Sequence, residues 1–287
     1  MIEYYCNTET PTRPLLGAII VNSPTTIEIF GLTRCFGELT ALDHIFLRVG
    51  SGQIFGLLGP NGSGKSTTIK ILTTLLKPSA GTARVADFDI LEQPAQVRAR
   101  IGYVPQALSA DGALTGRENL LLSARLYGVP KDQRNERIQE ILQFMELADA
   151  AEKLVKYYSG GMIRRLELAQ AMLHRPAVLF LDEPTIGLDP VARFLVWEHL
   201  KDLRSTFKMT VLITTHDMEE ADVLCDELAF LHQGKIVGQG KPAELKQSLG
   251  PAADLNDVFT HYSGSSFVEG GKFSDVRQTR YTAGRHG

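Results

Sequence analysis

The run Gly59-Pro60-Asn61-Gly62-Ser63-Gly64-Lys65-Ser66-Thr67 satisfies G-x-x-x-x-G-K-[ST], with the compact apolar stretch Gln53-Ile54-Phe55-Gly56-Leu57-Leu58 before it and a helical pattern after it. The chemistry such a loop supports is the holding of a triphosphate. Glycines let the backbone approach, consecutive N–H groups form a nest, and a helix N-terminus adds positive potential. Gly59, Asn61, Gly62, Ser63 and Gly64 would supply the cradle, Lys65 would bridge the β- and γ-phosphates, the Ser66 hydroxyl would ligate Mg²⁺, and Thr67 would donate to the α-phosphate. A second centre lies at Asp182-Glu183, directly after the apolar residues 177–181. The end of a strand in an α/β sheet faces the crevice where ligands bind. Asp182 is expected to hold Mg²⁺ through water, and Glu183 to polarise a water for in-line attack on the γ-phosphorus. Taken alone, the pair also fits an ordinary helix N-cap acid ahead of Pro184.

Strand, loop and helix must alternate to place these groups. Thr26-Ile27-Glu28-Ile29-Phe30 and Ile45-Phe46-Leu47-Arg48-Val49 read as strands of an antiparallel layer. A helix is expected over residues 68–76, stopped by Pro78. A helical block comes next: Thr115 with Glu118 forms a capping box ahead of residues 119–127, and Ile138, Ile141, Leu142 and Met145 repeat at helical spacing. Ser159 opens a further helix, with Ile163, Leu166, Ala169 and Leu173 on one face. After the buried strand at 177–181, Asp189-Pro190 reads as an N-cap and N1 pair starting a helix through Leu200. Residues 209–214 form the next strand, and Gln233-Gly234-Lys235 turns a hairpin. After Gly240 the pattern reads as less regular, and from Ser263 as a partly flexible end rich in Gly, Ser and Arg.

Composition sets the outer limits. The 287 residues suggest about two structural units. Hydrophobic residues at 44% and charged residues at 22% suit a folded globular chain rather than a disordered or fibrous one. No stretch approaches the apolar length of a bilayer span, and residues 15–21, preceded by Glu3 and Glu9, do not read as a secretory signal. Three cysteines, Cys6, Cys35 and Cys225, show no paired spacing, which fits a reducing compartment. A net charge of -3 disfavours a nucleic-acid footprint. His44, His174, His199, His232, His261 and His286 lack metal-ligand spacing.

Tyr158-Ser159-Gly160-Gly161-Met162 resembles the signature motif of ATP-binding cassette ATPases, and its distance to Asp182-Glu183 fits that family. Gly102-Tyr103-Val104-Pro105-Gln106 is similar to the family's Q-loop, Pro184-Thr185-Ile186-Gly187-Leu188-Asp189 to its D-loop and Thr215-His216-Asp217 to its H-loop, while Phe36 matches the aromatic that stacks on adenine. Alone, His216 would read as structural, Gln106 as a loop glutamine and Phe36 as a core aromatic; the order of motifs gives them roles. The resemblance covers most of the chain and implies a P-loop NTPase, RecA-like α/β core with an antiparallel β subdomain and an inserted helical subdomain. It divides the chain into a tail at 1–24, an ATPase domain at 25–245 with helical residues near 107–160, and a C-terminal extension at 246–287.

The resemblance implies specific roles. Ser159, Gly160 and Gly161 would form a second anion-binding helix terminus that closes over a partner's nucleotide, giving a head-to-tail homodimer or heterodimer with ATP sandwiched between subunits. Gln106 would contact Mg²⁺ and join Glu183 and His216 in catalysis, His216 touching the γ-phosphate, and Asp189 would reach nucleotide from the D-loop. Tyr158 and Met162 depart from the commoner Leu and Gln, which bears on cooperativity or affinity. This form, followed by Arg164-Arg165-Leu166-Glu167-Leu168-Ala169, resembles the drug-resistance, daunorubicin-exporter type of the ABC-2 branch, and Leu255-Asn256-Asp257-Val258-Phe259 is similar to that branch's C-terminal motif. The function implied is an ATPase subunit at the cytoplasmic face of the cell membrane, held there peripherally by a separate permease, powering export of a drug-like, lipid or polysaccharide substrate. The alternative is a soluble cassette ATPase that remodels nucleic-acid or ribosome complexes, although such chains usually carry two cassettes. A regulatory GTPase lacks a guanine-reading N/T-K-x-D segment and would leave Ser159-Gly160-Gly161 without a role.

Overall fold

The computed structural model describes residues 25–264. Residues 15–21, and all but the first two residues of the Gly- and Ser-rich end, lie outside that range.

Ten strands form two sheets among the described residues. β1 (Thr25–Phe36), β2 (Leu39–Gly50), β4 (Ala80–Val85) and β5 (Phe88–Asp89) make an antiparallel sheet in the order β2-β1-β4-β5. The expected antiparallel layer is therefore present, with strands longer than their apolar centres suggested. β3 (Ile54–Leu58), β6 (Ile101–Val104), β7 (Val178–Asp182), β8 (Thr210–Thr215), β9 (Glu227–His232) and β10 (Lys235–Gly240) make the second sheet, ordered β10-β9-β3-β8-β7-β6. All its pairings are parallel except β9 with β10.

Parallel strands covered on both faces read as continuous apolar runs, and their period of two divides them between two cores. Ile54, Leu58, Leu179, Leu181, Val211 and Ile213 face one cluster. Phe55, Leu57, Val178, Phe180 and Leu212 face the other. The second cluster is closed by α1 (Lys65–Leu72), α2 (Pro94–Arg100) and the antiparallel sheet. The first is closed by α3 (Gly116–Leu126), α4 (Arg134–Phe144), α5 (Gly160–Met172), α6 (Pro190–Phe207), α7 (Met218–Leu224), α8 (Pro242–Leu249) and α9 (Leu255–Ser263).

The caps read from the sequence are formed, while several element boundaries differ from that reading. The Thr115–Glu118 capping box is formed on both sides, and Ser159 and Asp189 cap α5 and α6 as expected. α1 starts earlier and ends earlier than its apolar run: Thr73 bonds back to the Ile69 carbonyl through its hydroxyl, and Thr74 sits at φ 63°, so the helix stops before Pro78 acts. α6 continues past Leu200 to Phe207 and ends on Lys208 at φ 50°. Beyond Gly240 the chain is regular. Pro242 opens α8 at its first turn, Asp254 and Asp257 form an acidic capping box on α9, and Leu255, Val258 and Phe259 are buried in the first core cluster. The residues read as Q-loop begin inside β6, so that only Pro105 and Gln106 lie beyond the strand.

Candidate nucleotide site

Four neighbouring parallel strands, in the order β3-β8-β7-β6, deliver the site from their C-terminal ends. After β3 comes the glycine loop, after β8 His216, at the end of β7 Asp182 followed by Glu183, and after β6 Gln106. Register brings these ends level, with Leu58 opposite Thr215, Asp182 opposite Thr214 and Val104 opposite Leu181. This is the crevice expected of an open α/β sheet.

The glycine loop is shaped by close approach. A Cβ on Gly59 would come 2.1 Å from the Leu231 carbonyl oxygen, and Gly64, at φ 113°, would place one 2.7 Å from the Ala41 carbonyl oxygen. The hairpin turn braces the loop from behind, since the Gly234 N–H donates to the Ser63 carbonyl at 3.0 Å. No side chain caps α1 and its first turn carries no acid, which leaves its leading amides directed at the crevice as donors for an anion.

Lys65, Ser66, Asp182, Glu183, Gln106 and His216 converge. The Lys65 ammonium donates to the Gly59 carbonyl at 2.7 Å and lies 3.3 Å from Glu183 Oε1. Gln106 Nε2 donates to Glu183 Oε2 at 3.3 Å, and His216 Nδ1 lies 3.2 Å from Glu183 Oε1. Ser66 Oγ donates to Asp182 Oδ1 at 3.1 Å. Burial pushes the Lys65 ammonium down despite the carboxylate beside it. Burial also raises the Glu183 carboxyl, but the His216 bond and the Lys65 charge outweigh it and hold Glu183 below the ordinary carboxylate range. The same bond to Glu183 raises His216. A hydroxyl and a carboxylate 3.1 Å apart, with a glutamine close by, form the oxygen donor set that Mg²⁺ favours when it also binds phosphate, so the residues present fit that ion.

A cavity of about 460 Å³ opens over these groups and is lined by Phe36, Asn61, Lys65, Thr67, Gln106 and Glu183 among others. Phe36, at the end of β1, is 45% exposed, so one ring face is available to a planar base. The Arg34 guanidinium lies 4.5 Å from the ring centroid.

Ser159, Gly160, Gly161 and Asp189 are brought together elsewhere. The Ser159 hydroxyl accepts the Met162 N–H at 3.3 Å and Asp189 accepts the Ala192 N–H at 3.0 Å, so the two caps stand side by side at the tips of α5 and α6. They flank a groove of about 210 Å³ that includes Gly161, Met162 and Arg165, and none of them lines the phosphate cavity. Gly161 has a packing reason as well, because a Cβ there would meet the Ala192 Cβ at 2.8 Å. Tyr158, in place of the commoner Leu, reaches into the helical block and donates its hydroxyl to the Ala150 carbonyl at 2.6 Å.

Three contributors were not read from the sequence. Thr214 donates to Asp182 Oδ1 at 2.6 Å and accepts the Glu183 N–H at 3.1 Å. Arg164, fully buried, donates to the Pro105 and Gln106 carbonyls at 2.8 and 2.9 Å and so holds the loop that presents Gln106. Arg34 stands two residues before Phe36 on one strand, a same-face spacing that could have pointed to it.

The sequence profile of the family described as ABC transporter matches residues 42–186. The daunorubicin/doxorubicin resistance ATP-binding protein DrrA of Streptomyces peucetius is 45% identical over 224 residues, 78% of this chain and 68% of that protein. The Nod factor export ATP-binding protein I of Ralstonia nicotianae is 42% identical over 237 residues, 83% of this chain and 72% of that protein. Among solved structures, a dimeric post-hydrolysis ATP-binding cassette bound to ADP and Pi matches with a TM-score of 0.67 and 27% identity, covering 75% of this chain and 98% of that one. This chain belongs to the ABC transporter family as an ATP-binding, ATP-hydrolysing subunit.

Proposed function

We propose that this chain powers an ABC-2-type exporter by hydrolysing Mg-ATP between two cassettes, each contributing one half of each site. The observation that carries this reading is the convergence on Glu183: Lys65 at the start of α1, and Gln106 and His216 just after β6 and β8, all lie within 3.3 Å of its carboxylate. The N–H groups of residues 61–67 and Lys65 bind the phosphates, Phe36 stacks on adenine, and Ser66, Gln106 and, through water, Asp182 would hold Mg²⁺. The bound ion would neutralise charge on the phosphate oxygens. Phosphate competes with Glu183 for Lys65, and the released carboxylate accepts the proton of the attacking water as its oxygen bonds to the γ-phosphorus and the bond to ADP breaks. His216 steadies the γ-phosphate.

The exposed tip formed by Ser159, Gly160 and Asp189, with Gly161 buried behind it, supports closure by a second subunit, identical or closely related. Relatives of comparable identity carry names for different cargoes, a drug in one and Nod factor in the other, so the reading extends to a drug-like, lipid or polysaccharide substrate and no further. No helix among the described residues is long and apolar enough to cross a membrane, which is consistent with a peripheral subunit at the cytoplasmic face working through a separate permease. Residues near 107–160 form the surface offered to that permease in this reading.

Glu183→Gln tests the core of it. Turnover should fall about 10²- to 10⁴-fold while ATP binding is kept and a dimer accumulates in gel filtration. Unchanged turnover removes Glu183 from the role of base.

A further inference from the structure

Behind Glu183 lies a smaller cavity of about 140 Å³, on whose wall Glu183 and His216 meet a second carboxylate, Glu220. Glu220 is 1% exposed and belongs to α7, whose N-cap, Asp217, directly follows His216. Its Oε1 accepts two hydrogen bonds, from the Thr185 hydroxyl at 2.7 Å and from Trp197 Nε1 at 3.0 Å. The Thr215 hydroxyl bonds the same carboxylate. These donors come from three places with one relation to the chemistry. Thr185 stands two residues after Glu183, Thr215 immediately before His216, and Trp197 on the helix that Asp189 caps. A second tie runs alongside, where Arg193 of α6 pairs with Asp217 at 2.8 Å.

Glu183 needs such support. Its backbone stands at φ 49°, a left-handed conformation that a side chain of this kind holds only when its surroundings dictate it. Thr214 fixes the chain on one side of Glu183 through its N–H, and the Thr185–Glu220 bond fixes it on the other. We infer that Glu220 is a positioning residue for hydrolysis: its carboxylate sets Glu183 and His216 relative to each other and locks both to α6, so that the phosphate cavity and the exposed Ser159–Asp189 tip keep one geometry. This rests on the reading of Glu183 as the base.

Trp197 is the only tryptophan in the chain, so its emission reports the state of this carboxylate directly. The test uses the full chain with Mg-ATP and compares Glu220→Leu, Glu220→Gln and Thr185→Val with Glu183→Gln. Leucine removes the shared acceptor. Trp197 emission should shift, kcat should fall about 10- to 100-fold, and KM for ATP should stay within about threefold, the pattern of misplaced catalytic groups rather than lost binding. Gln keeps an oxygen acceptor and should recover most of the loss. Thr185→Val breaks one bond only, is readable if the leucine variant does not fold, and should lower kcat with KM kept. The inference is overturned if Thr185→Val or a folded Glu220→Leu turns over as the parent does, or if the leucine variant raises KM with kcat unchanged. Full turnover by Glu183→Gln would instead sink the underlying reading, whatever the Glu220 variants do.

Discussion

The two polar centres of this molecule are built on opposite principles. Around Glu183 the groups engage one another inside the chain: Lys65, Gln106, His216, Ser66 and Thr214 approach the buried Asp182-Glu183 pair over distances of 2.6 to 3.3 Å. At the Ser159–Asp189 tip the caps serve their own helices, both residues are at least partly exposed, and apolar side chains nearby are exposed too, Val191 at 71% and Phe194 at 55%. A buried centre can be completed by folding alone. An exposed helix terminus fringed by apolar surface is a feature that a partner chain can complete.

Mixing variants puts that contrast under the heaviest load. Lys65→Ala should reduce hydrolysis about 10²- to 10³-fold or more through loss of a charge-assisted phosphate contact. Ser159→Arg should be comparably inactive, by blocking the tip. If the two centres meet across a dimer, an equal mixture has half its dimers mixed, each with one of two sites intact, and recovers about one quarter of parental activity. No recovery would mean that the tip does not act in trans.

The neighbouring glycines separate packing from function within the tip. Gly161→Ala pushes a Cβ against Ala192 and should cost about 1–3 kcal/mol of stability in thermal unfolding. Gly160→Ala meets only Leu188, at 3.4 Å, so stability should hold while hydrolysis drops. Equal stability losses at both would assign the pair to packing alone. On the buried side, Thr214→Val leaves Asp182 without its shortest contact and should cost about 1–3 kcal/mol, read by denaturant unfolding.

A gentler effect comes from pH. Glu183 raises His216, so the stability this gives is present below the free histidine value of about 6.5 and is lost as pH rises through the higher folded value. Glu183 is lowered, so its share is present above about 4.5 and is lost as pH falls through the lower folded value. The gap in unfolding midpoint between the parent and His216→Gln should therefore be widest near pH 5.5 and narrow by pH 9. A gap that widens toward high pH would contradict the pairing.

Legibility in the sequence followed locality. The glycine loop, the Thr115 and Ser159 caps and the Asp189-Pro190 start could be read because their meaning lies within a few residues. Thr214, Arg164 and Glu220 could not, since each acts on a residue brought near only by sheet register or helix packing. An unremarkable threonine in an apolar strand carries no sign that the next strand ends in Asp182. The helices after Gly240 are a different matter: Asp254, Asp257 and the spacing of Leu255, Val258 and Phe259 were signals in plain view, hidden by the acidic form of the capping box.

The central place of β3 bears on how the protein is made. It lies between β8 and β9, and the loop after it leans on Leu231 and Gly234, residues far downstream in the chain. A chain that has grown only as far as α6 carries every residue of the glycine loop, but neither of the strands that flank β3 nor the turn that backs it. A chain truncated before β8 lacks these supports, so it is expected to hold nucleotide less tightly than the full chain.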